Sequence, residues 1–176
     1  MILPVDRATG GSAAWFALYV KAHHEFVVQK HVWEKGFEVY LPTINRMRHW
    51  KDRIKRIDSP FFPGYLFTRL LPVHDQFLDL LKTQGVIRIL STVPGTPTPV
   101  PEAQIAALKI LLANDRELDV HPELEPGKVV RITRGPLKGV EGCICRKNGQ
   151  LFLHVNVTIM GRCVAVKMYQ DEVELA

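Results

Sequence analysis

The sequence predicts an α+β chain: an N-terminal α/β sandwich, an antiparallel sheet with helices, joined by a linker to a small all-β barrel. Three observations predict it. The first two thirds read β-α-β-β-α-β-α, the order of a sheet with helices packed on one face. Asn114 to Pro126 is rich in charge and proline and poor in apolar residues, as linkers are. Beyond it the pattern changes to short alternating runs and glycine turns, with Asn148-Gly149 between two of them, a strong hairpin signal. The expected division is a disordered tail over 1–13, a domain over 14–112, a linker over 113–125 and a barrel over 126–176.

The first strand is Trp15 to Lys21. Period 2 places Phe16, Leu18 and Val20 on one face and Trp15, Tyr19 and Lys21 on the other. His23 to Lys35 follows as a helix in which Phe26, Val28 or Val27, Val32 and Trp33 recur at helical spacing, with Gly36 suited to its C-terminal cap. Phe37 to Leu41 alternates and stops at Pro42. The organising strand comes after an arm. In Ser59-Pro60-Phe61-Phe62-Pro63-Gly64, prolines unable to donate to a ladder stand at the strand's start. Tyr65, Phe67 and Arg69 then alternate with Leu66, Thr68 and Leu70. With both strands in one sheet, one face is mostly aliphatic and the other holds Trp15, Tyr19, Tyr65 and Phe67. Tyrosine and tryptophan join an apolar body to a polar tip and concentrate at interfaces. The aromatic face is expected to be left uncovered by the chain's own helices and so open to a partner.

His74 to Thr83 is a short helix with Phe77, Leu80 and Leu81 inward, and Val86 to Leu90 a strand. Val93 to Pro101, with four prolines in nine residues, is expected to be irregular. Glu102 to Ala113 is a helix with Ile105, Leu108, Leu111 and Leu112 on one side. In the last third, Gly127 to Ile132 is a strand, Leu151, Leu153, Val155, Val157 and Ile159 alternate inward, and Arg162 to Met168 runs back. So small a core is feasible without metal or disulfide.

The charge is unevenly placed. Residues 1–112 carry 14 Lys and Arg against 9 Asp and Glu, whereas residues 113–176 carry 9 of each. The net +5 therefore lies in the first two thirds and favours an anionic partner there. Most of it sits on the arm between Asn45 and Asp58, which holds Arg46, Arg48, Lys51, Arg53, Lys55 and Arg56 with Trp50 among them. Between two strands, such a segment reads as a projecting hairpin or loop able to meet phosphates, with Trp50 able to stack or wedge.

Catalysis is not expected. His23, His24 and His31 share one helix, but no third metal ligand follows at a convincing distance, and no phosphate-cradling loop or nucleophile set is present. Cys143, Cys145 and Cys163 have no zinc spacing and read as small buried hydrophobes in a reducing cytoplasm. No cofactor, metal or membrane span is expected, and the start of the chain lacks the pattern of a secretory signal.

Trp15-Phe16-x-x-Tyr19, Phe61-Phe62-Pro63-Gly64-Tyr65-Leu66-Phe67 and the stretch Val129 to Gly142, which resembles a KOW motif, occur in the order found in the NusG family of transcription elongation factors. The resemblance covers roughly Ala14 to Leu175. It implies a NusG-type N-terminal domain and an SH3-like KOW barrel. It also implies a cytoplasmic, monomeric, non-catalytic factor that binds RNA polymerase across the clamp, suppresses pausing and promotes antitermination.

By the same resemblance, Trp15, Tyr19, Tyr65 and Phe67 meet the β′ clamp helices, and the domain reaches the β gate loop. Lys21, His31, Thr83 and Gln84 match positions that approach non-template DNA. The arm, with Arg46, Arg48, Trp50, Lys51, Arg53, Lys55 and Arg56, matches a hairpin near upstream DNA. Leu137, Ile159, Met160, Gly161 and Arg162 match the barrel surface that takes the ribosomal protein NusE and, in housekeeping members, Rho. The compact loop at Arg69–Asp75 and the Trp50–Arg53 arm resemble the specialised RfaH and UpxY groups. The other reading is a stand-alone KOW-type protein that binds nucleic acid or the ribosome.

Overall fold

The computed structural model describes residues 11–50, 53–113, 118–122, 128–133, 137–147, 150–157 and 160–168. Strand β1 (Ala14–Val20) is the centre of the first sheet. It pairs antiparallel with β5 (Tyr65–Leu70) in the register Trp15↔Arg69, Ala17↔Phe67 and Tyr19↔Tyr65. On the far side of β5 lies β2 (Glu38–Tyr40), and on the far side of β1 lies β6 (Val86–Ile89), so the order is β2-β5-β1-β6. The proline-rich loop is not wholly irregular. Its residues Pro99–Val100 form β7, a short pairing with β1 opposite Trp15 and Phe16.

The alternation read from the sequence sorts the core into two clusters. On the aliphatic face, Phe16, Leu18, Val20, Leu66 and Leu70 pack with helices α1 (Glu25–Glu34) and α2 (His74–Leu81) through Val28, Val32 and Leu80. Each such fully buried side chain contributes about 1.5–3 kcal/mol of transfer free energy. Phe16 also meets Phe77 edge to face, with centroids 5.1 Å apart. Within α1, only part of the expected apolar repeat turns inward. Val28 and Val32 are fully buried, whereas Phe26, Val27 and Trp33 are exposed. Leu81 of α2 is likewise exposed.

The helices do not all share one face. Helix α3 (Glu102–Leu112) crosses to the aromatic side, where Ile105, Leu108 and Leu111 bury against Trp15, Ala17 and Phe67. The expectation of an uncovered aromatic face is therefore corrected. Trp15 is 1% exposed and Phe67 0%. The cause is the apolar stripe of α3, which buries in one cluster with these rings and with Val130, Leu153 and Val155 of the last third.

The arm is a two-stranded antiparallel ribbon, β3 (Thr43–Trp50) and β4 (Arg53–Pro60), paired with no other described strand. Its register pairs Arg48 with Lys55 and Trp50 with Arg53. Lys51 lies outside the described residues.

The last third forms a second antiparallel sheet in the order β8-β12-β11-β10-β9. Its strands are β8 (Leu118–Pro122), β9 (Lys128–Arg131), β10 (Glu141–Lys147), β11 (Gln150–Val157) and β12 (Arg162–Met168). Val130, Leu153, Val155, Val164 and Val166 line its core face. Lys147 pairs with Gln150, and the expected turn residues Asn148 and Gly149 lie outside the described residues. Strand β8 falls inside the stretch expected as linker. It pairs with β12 at the sheet's margin, a position where Pro122 costs no ladder bond.

Candidate functional site: an aromatic sheet face and its neighbours

The aromatic face is built by pairing. Because Tyr19 stands opposite Tyr65, their rings lie 5.2 Å apart at the end of the β1–β5 ladder. The approach to that end is fixed by Gly64, whose φ of +81° suits glycine and whose added Cβ would come within 3.3 Å of the Tyr19 ring. The Gly64 N–H donates to the buried carboxylate of Glu25, at 2.8 Å, tying the loop to the first turn of α1. Both tyrosines are half-buried.

Deeper in the same face, α3 clasps Trp15. The indole Nε1–H donates to Glu102 at 3.3 Å, and the Lys109 ammonium stands 4.9 Å from the ring centroid. Lys109 also lies 5.3 Å from the Tyr40 ring, which stacks on Phe67 at 6.3 Å. Burial among these groups raises the pKa of the Tyr40 hydroxyl well above the ordinary tyrosine range. Of the four aromatics expected to form a docking patch, then, Tyr19 and Tyr65 keep accessible surface, and Trp15 and Phe67 serve as its floor.

The second sheet reaches this face. The Arg162 guanidinium lies 5.7 Å from the Tyr65 centroid, within cation–π range, and Arg88 lies 5.4 Å from Tyr19. Met160 packs against the same cluster as Tyr19 and Tyr65. It lines a cavity of about 240 Å³ with Tyr65, Arg88, Ile89, Leu90 and Ser91. A larger cleft of about 640 Å³ separates α3, at Ala103, Ala106 and Ile110, from Val129, Cys143 and His154. His154 is nonetheless buried, and its Nδ1 lies 3.6 Å from Cys163 Sγ. Cys163 is buried, Cys143 only half-buried, and both are free thiols.

The remaining expected site residues divide. Lys21 and Gln84 are exposed at one corner, where the Lys21 N–H donates to the Gly85 carbonyl at 2.9 Å. His31 is half-buried further along α1. Thr83 is not available to a ligand: it is 4% exposed and its hydroxyl donates to the Asp79 carbonyl at 3.1 Å. Leu137 is fully buried in the second sheet's core, so it supports the surface rather than forming it. Gly161 is exposed, and Ile159 lies outside the described residues. Arg46, Arg48, Trp50, Arg53, Lys55 and Arg56 fall on the β3–β4 ribbon, placed by its backbone register.

Sequence reading missed Arg88 and Lys109 as partners of the aromatic rings. Arg88 is the one charged position of β6, and Lys109 the one cation of α3, the signal that marks them. It also missed α3 as the cover of Trp15.

Comparisons with known proteins agree with this architecture. The family described as transcription termination factor nusG matches residues 13–109. The transcription termination/antitermination protein NusG of Pasteurella multocida is 30% identical over 155 residues, spanning 84% of this chain and 82% of that protein. Its counterpart in Haemophilus influenzae is 27% identical over 157 residues, spanning 85% and 82%. A solved structure described as domain interaction in Thermotoga maritima NusG shares the fold at a TM-score of 0.50 and 21% identity, covering 93% of this chain and 97% of that one. A family match over more than half of the chain, together with a relative at 30% identity along most of its length, places this protein in the NusG family.

Proposed function

We propose that this chain is a transcription termination/antitermination factor that docks on RNA polymerase through the Tyr19–Tyr65 end of its aromatic face. NusG-family factors interact with RNA polymerase and are regulators, not enzymes. The observation that carries the assignment to this face is the pair of half-buried tyrosine rings 5.2 Å apart, standing on the buried floor of Trp15 and Phe67. Large rings on a rigid, preorganised base make strong anchors because little entropy is lost when they bind.

In this reading the clamp helices take the place that Met160 and Arg162 hold, and the second sheet moves aside when polymerase is bound. Preferential binding to the closed clamp then shifts that equilibrium and shortens pauses. The ribbon meets upstream DNA, and Lys21, His31 and Gln84 meet the non-template strand. The second sheet acts as a KOW-type barrel that presents Met160, Gly161 and Arg162 to NusE, and to Rho where Rho is a partner.

The test is binding of purified polymerase by Tyr65→Ala. Phe67→Ala is unsuitable, because emptying a fully buried phenylalanine site costs about 3–5 kcal/mol of stability. Tyr65→Ala should stay folded and lose polymerase affinity by more than tenfold. Wild-type affinity in the folded variant would overturn the assignment. Tight, salt-dependent binding to free nucleic acid without polymerase affinity would favour a stand-alone nucleic-acid-binding protein.

A further inference from the structure

Polar side chains converge where the two sheets approach each other. Arg88 of β6, Ser91 just beyond it and Tyr65 of β5 line the cavity of about 240 Å³ that Met160, just before β12, helps to close. The hydroxyls of Tyr65 and Ser91 have no hydrogen-bond partner among the described residues. Arg88 stands over the Tyr19 ring and Arg162 over the Tyr65 ring, and those rings are themselves 5.2 Å apart. One cation from each sheet thus flanks the same pair of tyrosines.

Two other arginines show how a guanidinium is satisfied in this fold. Arg69 lies 3.7 Å from Glu38 and 3.6 Å from Glu102, and Arg131 bonds Glu141. Arg88 and Arg162 pair with no carboxylate among the described residues. Arg162 is moreover half-buried, and a cation partly withdrawn from water without an anion beside it is costly. A ring face offsets only part of that cost.

What would satisfy this pair is small, negative and rich in acceptors. Two unneutralised guanidiniums call for more than one negative charge, and their planar donor forks match phosphoryl oxygens two at a time. The free hydroxyls can donate to the same oxygens. The cavity, at about 240 Å³, is smaller than the roughly 300–1,000 Å³ of sites for drug-sized ligands, so it suits one or two phosphoryl groups and not a duplex.

We propose that Arg88, Arg162, Ser91 and Tyr65 form a binding site for a small polyanion of the phosphate class, held between the two sheets. Because Arg88 belongs to the first sheet and Arg162 to the second, an occupant fastens the second sheet over Tyr65. Its opposition to polymerase docking rests on the Tyr65 assignment, whereas the site itself does not.

The experiment is isothermal titration calorimetry of the full-length chain with pyrophosphate, at fixed ionic strength and without polymerase. Wild type should bind one pyrophosphate, and its thermal midpoint should rise with pyrophosphate concentration. Arg88→Gln and Arg162→Gln should each weaken binding by about tenfold or more, the loss expected for hydrogen bonds to a charged group. Arg88→Lys should recover only part, because an ammonium keeps the charge without the fork. Lys30→Gln, which removes an exposed cation on α1 outside the cavity, should bind as wild type does. Four results would overturn the proposal: no saturable binding of pyrophosphate by wild type, an equal loss in Lys30→Gln, a loss confined to one of the two arginines, or tighter arginine-dependent binding of oligothymidine than of pyrophosphate. Circular dichroism of each variant separates a lost site from a lost fold, and the thermal shift of folded Arg88→Lys decides the matter should either glutamine variant unfold. Because polymerase is absent, none of these results bears on the Tyr65 assignment, which its own binding assay decides.

Discussion

The carboxylate of Glu25 accepts the backbone N–H of Gly64 across 2.8 Å inside the protein, joining the first turn of α1 to the loop that delivers Tyr65 to the sheet. Removing that acceptor strands a buried donor. Glu25→Ala should therefore cost about 1–3 kcal/mol in urea unfolding. Glu25→Gln, which keeps an acceptor oxygen, should recover most of the loss. Equal stability of the alanine variant and wild type would mean that water replaces the carboxylate.

Arg162 over Tyr65 makes the two candidate surfaces rivals. A cation–π contact of about 0.5–2 kcal/mol corresponds to roughly a 2- to 30-fold shift in docking. Arg162→Ala should raise polymerase affinity within that range, measured as an equilibrium constant with the full chain. Unchanged affinity would show that the contact does not compete.

Gly142 faces its neighbour strand so closely that an added Cβ would sit 2.5 Å from the His154 carbonyl oxygen. A backbone atom cannot step aside as a side chain can. Gly142→Ala should destabilise the second sheet by about 1–3 kcal/mol, seen as a lowered thermal midpoint. Stability equal to wild type would mean that β10 and β11 separate without penalty.

Tyr40 supplies a pH dependence. Its hydroxyl keeps its proton in the folded state at pH values where an unfolded tyrosine ionises. Above about pH 10 the unfolded chain thus binds fewer protons than the native one, and stability falls with rising pH, at up to about 1.4 kcal/mol per pH unit from this group. Tyr40→Phe should remove that part of the alkaline loss. Absorbance titration near pH 10 should show a deficit of one ionising tyrosine in the folded wild type relative to its own unfolded chain, a deficit that Tyr40→Phe does not show.

Much of the fold was legible because period 2 and glycine or proline punctuation are local signals. Trp15 to Lys21 and Tyr65 to Leu70 declared their faces without reference to anything distant. What covers a face is not local. The stripe of Ile105, Leu108 and Leu111 was evident, but nothing within it says which side of the sheet α3 chooses, so Trp15 and Phe67 read as open when they are floor. Phe26 and Trp33 failed for the opposite reason: aromatics at helical spacing imply burial, and here the sheet needed only Val28 and Val32. Thr83 and Leu137 matched a pattern by position, yet one is occupied with its own helix and the other is core.

Strand β8, lying within the presumed connector, sets how far the C-terminal sheet can travel. From Ala113 at the end of α3 to Leu118 there are five Cα steps, a leash of about 18 Å at full stretch. If polymerase docking displaces the sheet as proposed, then with β8 zipped to β12 the sheet swings aside but does not leave. Should β8 unzip, the leash runs from Ala113 to Lys128, fifteen steps and about 50 Å, long enough for the sheet to fish for partners well away from the body it is moored to.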